Sequence, residues 1–294
     1  MTIACIENEV LRVCVKPAYG ARVVNLIDKV RGREWITQGP DSANTGEDAR
    51  YESAEAVGWD ECFPTVGPWD ASATAWRRRL RDHGDLWGRP WRVDAASATA
   101  LALSFSAAEF CFARELRLDG ASLAARYSVR NLSREPLPYL WAMHALLAVG
   151  PEDSIELPGI ADVRPTYLAL GGETISASSL QWSGRNAVLP FALDRVQSAA
   201  TAFAGKFHAR GIPGGSALVG RPGERLRLTW DAAIAHLGIW LSYGGWPAAG
   251  GHHEIAVEPT TSAADHLGEA IDAGVPPLQP GERRDWSVVL TVGA

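Results

Sequence analysis

The chain has 294 residues, and its 28 Lys and Arg against 34 Asp and Glu leave a net charge of -6. No run of five or six like charges occurs, and Arg77-Arg78-Arg79 stands among Asp70, Asp82 and Asp85, which excludes the electrostatic footprint of a nucleic-acid binder. Apolar residues at 47% and charged residues at 21% fit a globular chain with a substantial core. No uninterrupted apolar stretch of about 18 residues points to a membrane span. The opening MTIACIENEVLRV lacks the basic-then-apolar order of a signal peptide. Cys5, Cys14, Cys62 and Cys111 form no C-x-x-C pair and read as reduced, mostly buried thiols. The expected address is therefore the cytoplasm, with neither a membrane nor a nucleic-acid partner.

Taken in chain order, strand signals dominate. Leu11–Val15, Arg22–Ile27 and Ala100–Phe105 are short, rich in aliphatic residues and bounded by turn formers. Arg114–Leu118, then Asp119-Gly120, then Ser122–Val129 predicts a hairpin, because Asp-Gly tolerates the positive φ of a tight turn. Arg225–Trp230, His236–Ser242 and Trp286–Val292 continue the pattern, and the one helical signal is a short turn near Ser262–Ala270. Eighteen prolines and 29 glycines punctuate the whole length, with no repeat and no break in composition. The expectation is an all-β chain, one large antiparallel β-sandwich domain over residues 1–294, with long loops at about 38–75 and 159–215.

Four segments carry candidate chemistry. Gly58-Trp59-Asp60-Glu61-Cys62-Phe63-Pro64-Thr65 sets two carboxylates between bulky apolar residues; they read either as site residues or as caps of a solvated turn. Asp82-His83-Gly84-Asp85-Leu86-Trp87 offers an imidazole that a neighbouring carboxylate can hold in one tautomer, or else an exposed hairpin histidine. In Leu137–Ala148, period-two alternation puts Tyr139, Trp141 and Met143 on one side and Leu140, Ala142, His144 and Leu146 on the other. A buried His144 is either a satisfied structural residue or an acid–base group. In His252–Thr260, Ile255 and Val257 share one face while His252, Glu254, Ala256 and Glu258 share the other, and Pro259 is expected to stop the ladder after Glu258. His252, His253, Glu254, Asp265 and His266 match no strong metal-ligand template, so no metal is expected. Twelve tryptophans supply core mass or rings that stack on sugar C–H faces.

In order, Gly20–Asp28, Phe63-Pro64, His83-Gly84, the His144 strand, Ile255-Ala256-Val257-Glu258-Pro259 and Leu278-Gln279-Pro280-Gly281-Glu282 resemble the aldose 1-epimerase (galactose mutarotase-like) family over nearly the whole chain. The resemblance implies the family's β-supersandwich and an isomerase of carbohydrate metabolism, a mutarotase that interconverts the α and β anomers of an aldose without a cofactor. It places Glu258 as base, His144 as general acid and His83 as a sugar-binding donor, with Glu258 ionised and His144 protonated at the start. Asp60, Glu61, Trp87, Trp141, Lys206 and Trp240 stand as sugar-contacting candidates. The sequence departs from the family where Met143 precedes His144, and where Asp60 and Glu61 stand in place of an Asn-Arg pair. A phosphorylated hexose would need a cationic clamp, for which Arg77, Arg79 and Arg89 are the candidates. The alternative is a non-catalytic carbohydrate-binding or sensing module on the same fold. The expected partner is a small sugar, and no feature sets an oligomeric state.

Overall fold

The structure is a computed structural model that describes residues 2–39, 46, 49–51, 55–248 and 251–293. Along the chain run β1 (Ala4–Glu7), β2 (Leu11–Lys16), β3 (Arg22–Asp28), β4 (Arg33–Glu34) and β5 (Trp59–Cys62). Then come β6 (Trp69–Asp70), β7 (Arg79–Leu80), β8 (Arg92–Ala96), β9 (Ala100–Ser106), β10 (Phe110–Asp119) and β11 (Ser122–Asn131). These are followed by β12 (Ala142–Leu147), β13 (Ser154–Glu156), β14 (Asp162–Leu170), β15 (Glu173–Thr174), β16 (Leu180–Gln181) and β17 (Phe203–Arg210). The chain closes with β18 (Ser216–Arg221), β19 (Glu224–Trp230), β20 (His236–Tyr243), β21 (His253–Thr260), the helix α1 (Leu267–Asp272) and β22 (Arg283–Val292).

The chain is all-β and antiparallel, as its alternation predicts. One large sheet runs β1-β2-β3-β5-β12-β21-β20-β17-β14-β15, with β4 on β3 and β16 on β14. The other runs β13-β18-β19-β22-β11-β10-β9-β8, and β6 with β7 makes a small ribbon. The predicted hairpin is β10–β11: Asp119 opposes Ser122, and Gly120 turns the chain at φ 51°. Alternate residues of both strands are buried, so one face of each packs inward. No helix of the described residues is long and apolar enough to cross a membrane.

Three expectations need correction. The stretch 159–215 is not a loop, since it carries β14 and β17; Pro165 interrupts the strand pattern but is accommodated where the β14–β17 register shifts between Pro165 and Tyr167. Likewise β5 interrupts the expected 38–75 loop, whose residues 40–45, 47–48 and 52–54 lie outside the described residues. Pro259 does not end β21, which pairs with β20 through Thr260; its missing N–H coincides with a gap on the β12 side, between Ala142↔Thr260 and Leu146↔Ala256. Finally, Cys5 and Cys14 are directly opposed across β1 and β2 and form a disulfide, leaving Cys62 and Cys111 as the free thiols. Reduced thiols were a ground for expecting the cytoplasm, and that ground falls with the disulfide.

The first sheet has two distinct faces where its central strands meet. Trp59, Met143, Ala145, Phe207, Leu237, Ile239, Ile255 and Val257 enter the core between the sheets. The intervening residues of the same strands point the other way. That outer face is the floor of the site.

Candidate active site

Strand register lines up the chemistry. His144 opposes Asp60, and Gly238 opposes both Glu258 and His208. The pairs Ala142↔Thr260 and Leu146↔Ala256 put Glu258 opposite His144. Five strands therefore contribute one lateral row: Asp60, His144, Glu258, Gly238, His208. The next row holds Leu146, Ala256, Trp240 and Lys206. Above these rows lies a cavity of about 370 Å³, within the range of small-molecule sites.

Glu258 is almost wholly buried, and its Oε2 accepts a hydrogen bond from Lys206 Nζ. His144 Nε2 stands 3.9 Å from the other oxygen, Oε1, which has no hydrogen-bond partner. Lys206 and His144 border the cavity, and Glu258 lies behind them. Burial opposes the Lys206 charge, but Glu258 and then Asp265 outweigh it and raise the ammonium above the usual lysine value. His144 is pushed well below the usual imidazole value, first by burial and then by the His83, Lys206 and Arg22 charges. The expected protonated His144 is thus corrected: the cation beside Glu258 is Lys206, and the buried imidazole is neutral.

A pinned loop brings in His83. His83 and Gly84 both take positive φ, at 58° and 70°, and a Cβ on Gly84 would lie 2.1 Å from the Phe63 carbonyl oxygen. The His83 N–H donates to the Val66 carbonyl and the Asp85 N–H to that of Phe63, which ties this loop to the end of β5. Asp82 Oδ1 lies 3.1 Å from His83 Nδ1, directing Nε2 elsewhere. The His83 ring stacks on Tyr51 at 3.6 Å between centroids and meets the His144 ring edge-on at 4.8 Å.

The remaining candidates divide by face. Trp240 borders the cavity, between Tyr167 and Trp246. Asp60 stands in the first row, but Arg22 engages its carboxylate, with Nε 2.9 Å from Oδ2. Burial works against the Arg22 charge, and Asp60 more than restores it. Glu61, one residue on, faces the opposite side. In the core it accepts bonds from Trp59 Nε1 (2.9 Å), Arg114 Nη1 (2.9 Å), Tyr127 OH (3.0 Å) and Trp141 Nε1 (2.9 Å). Burial pushes this carboxyl up to about 7, against the pull of Arg114 and the other donors. Glu61 and Trp141 are therefore core residues rather than sugar contacts. Trp87 is also fully buried, donating to the Asp82 carbonyl and backing Tyr51 edge-on. None of Arg77, Arg79 and Arg89 borders the cavity; Arg77 binds Glu135, and Arg89 lies 3.6 Å from Asp85.

Sequence reasoning missed Tyr51, Tyr167, Trp246 and Asp265 as wall residues, and Glu254 as more than a weak metal candidate. Asp265 Oδ2 accepts from Thr166 Oγ1 at 2.9 Å, and Oδ1 lies 3.2 Å from His208 Nε2. Burial raises Asp265, but the His208 contact and the Lys206 charge overcome it and hold the group below the ordinary carboxylate range. Glu254 is fully buried, and neither oxygen makes a hydrogen bond of good geometry. Burial pushes its carboxyl up to about 8, only partly offset by its polar neighbours Thr37 and Trp240. Alternation along β21 was the available signal for Glu254, since it shares a face with Glu258. Tyr51 carried none and Asp265 only the same weak metal reading, both being brought in by loops.

No family model and no curated protein sequence matches the chain. Solved structures do. The Slr1438 protein of Synechocystis sp. PCC 6803 superposes with TM-score 0.73 at 15% identity, over 99% of this chain and 96% of that one. A galactose mutarotase related enzyme from Lactobacillus acidophilus gives TM-score 0.69 at 15% identity, over 100% and 98%. A galactose mutarotase-like protein from Lactobacillus casei ATCC 334 gives 0.67 at 17%, over 99% and 100%. At these identities the likeness is one of architecture, and over nearly its whole length the chain has the galactose mutarotase-like fold.

Proposed function

We propose that the chain is a cofactor-independent carbohydrate epimerase that exchanges the anomers of an aldose, with Glu258 as the base. The observation that carries this reading is the Lys206–Glu258–His144 group beneath a sugar-sized cavity walled by aromatic rings. The structural neighbours named as galactose mutarotase-like support the same chemistry class.

Anomer exchange needs the C1 hydroxyl proton removed while the ring oxygen gains one. The Glu258 carboxylate accepts the first proton. Once neutral, it no longer holds Lys206 charged; burial, the largest influence on that group, then favours release of the ammonium proton to the ring oxygen. The C1–O5 bond breaks as C1 becomes a carbonyl, rotation about C1–C2 exposes the other face, and ring closure returns both protons to their donors. Neutral His144, with His83 beside it, then serves as a hydrogen-bond partner to the reacting oxygens, and the acid role expected of His144 passes to Lys206. General acid–base help of this kind contributes about 10²–10⁴-fold.

The test is NMR measurement of anomer exchange over a panel of aldoses with wild type and Glu258→Gln. Acceleration that disappears in the folded variant supports the reading, and unchanged turnover in the variant removes it. One observation favours a second reading: Glu258 lies behind Lys206 and His144 instead of on the cavity wall. A binding or sensing module would show saturable sugar binding with no acceleration in wild type.

A further inference from the structure

Beyond the Lys206–Glu258–His144 group, the cavity is bordered by a fully buried acid, Glu254, that the proposed chemistry does not use. Glu254 and Glu258 lie four residues apart on one face of β21, about 13 Å along the strand. Between them the floor is apolar: Ala256 flanked by Leu146 and Trp240, with Ala56 and Trp246 closing over the same patch. Glu254 borders the far end of this floor with both carboxyl oxygens sealed from solvent and unpartnered. A buried polar group without a partner costs about 1–3 kcal/mol. A native fold keeps such a group for a reason, such as a functional role or a bound water or ion that completes its hydrogen bonds.

We propose that Glu254 is a specificity-determining sugar-binding residue, hydrogen-bonded to a hydroxyl of an uncharged aldose at the end of the cavity remote from Glu258. The inference rests on the epimerase reading for its orientation, anomeric carbon toward Glu258, but not for the binding itself. A carboxyl held near 8 is protonated at pH 7, so it both donates and accepts, as a sugar hydroxyl does. The floor between the two acids suits the C–H face of a pyranose stacked on Trp240. The charge inventory selects against an anionic sugar. Among the described residues that border the cavity, Lys206 is the one Lys or Arg, and Glu258 already neutralises it; Asp82 and Asp265 add negative charge.

The experiment is equilibrium binding by calorimetry and saturation-transfer NMR. Its probes are D-glucose, D-galactose, D-xylose and L-arabinose, with the 6-phosphates of the two hexoses. Wild type is expected to bind at least one uncharged sugar, and to bind neither phosphate more tightly than its parent. In Glu254→Met the dissociation constant should rise about tenfold, the loss of one well-placed hydrogen bond. Glu254→Gln, which keeps a donor and an acceptor, should recover most of it. The Met variant should also melt higher than wild type, since it removes an unpartnered buried carboxyl. Wild-type affinity in a folded Glu254→Met protein overturns the proposal, as does tighter binding of a phosphate or no binding of any uncharged sugar. Because binding is read without turnover, absent anomer exchange with Glu254-dependent binding refutes only the epimerase reading. Exchange with Glu254-independent binding refutes only this one.

Discussion

Gly238 offers a sharp test of where the chemistry happens. It stands directly opposite Glu258, and a Cβ built on it would lie 2.7 Å from Glu258 Oε2. Ordinary contact between non-bonded heavy atoms begins near 3.5 Å, so in Gly238→Ala the carboxylate must withdraw by about 0.8 Å. That movement pulls it from Lys206 and from any oxygen placed between them. Misplacement of about 1 Å costs about 100-fold when a group must meet a reacting atom. Gly238 has an ordinary extended backbone, so alanine imposes no dihedral strain and removes some freedom from the unfolded chain. The expected result is anomer exchange lowered by about 30–100-fold in the rate constant, with KM and melting temperature little changed. The assay pairs NMR exchange rates with circular dichroism melting. A folded Gly238→Ala protein exchanging anomers within twofold of wild type would refute the reasoning, because the carboxylate could then move without consequence.

Other consequences are independent of the reaction. Glu61→Gln leaves the fully buried Arg114 guanidinium without its counter-charge and sets an amide N–H₂ among four donors. Breaking such a pair costs about 3–5 kcal/mol, measurable in urea, and a loss below 1 kcal/mol would contradict the assigned hub. His144 is neutral in the fold to well below the usual imidazole value, while in the unfolded chain it takes a proton near 6.5. The unfolded state then binds more protons, so His144 contributes stability that is complete above about pH 6.5 and is lost at up to about 1.4 kcal/mol per unit as pH falls below it. Stability curves of wild type and His144→Gln should converge toward acid, and parallel curves would contradict a buried neutral imidazole. Denatured, unreduced protein should titrate two thiols, Cys62 and Cys111, and reduction should add two more; four thiols before reduction would exclude the Cys5–Cys14 bond.

The legibility of the sequence followed the core. β2, β3, β9, β11, β19, β20 and β22 announce themselves through apolar alternation because one face of each packs inward. β17 does not, because Lys206 and His208 on its outer face, with Gly205 between the aromatic residues, dilute the strand signal with polar groups that face the cavity side of the sheet. His83 and His144 were readable as candidates because residue type and neighbours pointed to them, and the family resemblance added Lys206 and Trp240. Asp60 and Glu61 were readable as a pair, but only the formed sheet separates a carboxylate held by Arg22 from one embedded in the core. The tryptophans were equally opaque, since composition cannot tell the wall residue Trp240 from Trp87 and Trp141, which are buried elsewhere.

The division of one sheet between a core face and a cavity-lining face bears on how such a protein can change. In β12, β17, β20 and β21 the even-numbered positions carry His144, Lys206, Trp240, Glu254 and Glu258, whereas the odd-numbered positions hold the fold together. Substitutions at even positions can therefore reshape what is bound while leaving the packing between the sheets intact, and a library confined to them would sample specificity nearly apart from stability. Insertion or deletion of a single residue within any of these strands has the opposite character. It exchanges the two faces beyond that point, sending carboxylates and imidazole into the core and isoleucine and phenylalanine into the cavity. Along these strands, variation by replacement is open and variation by length is closed.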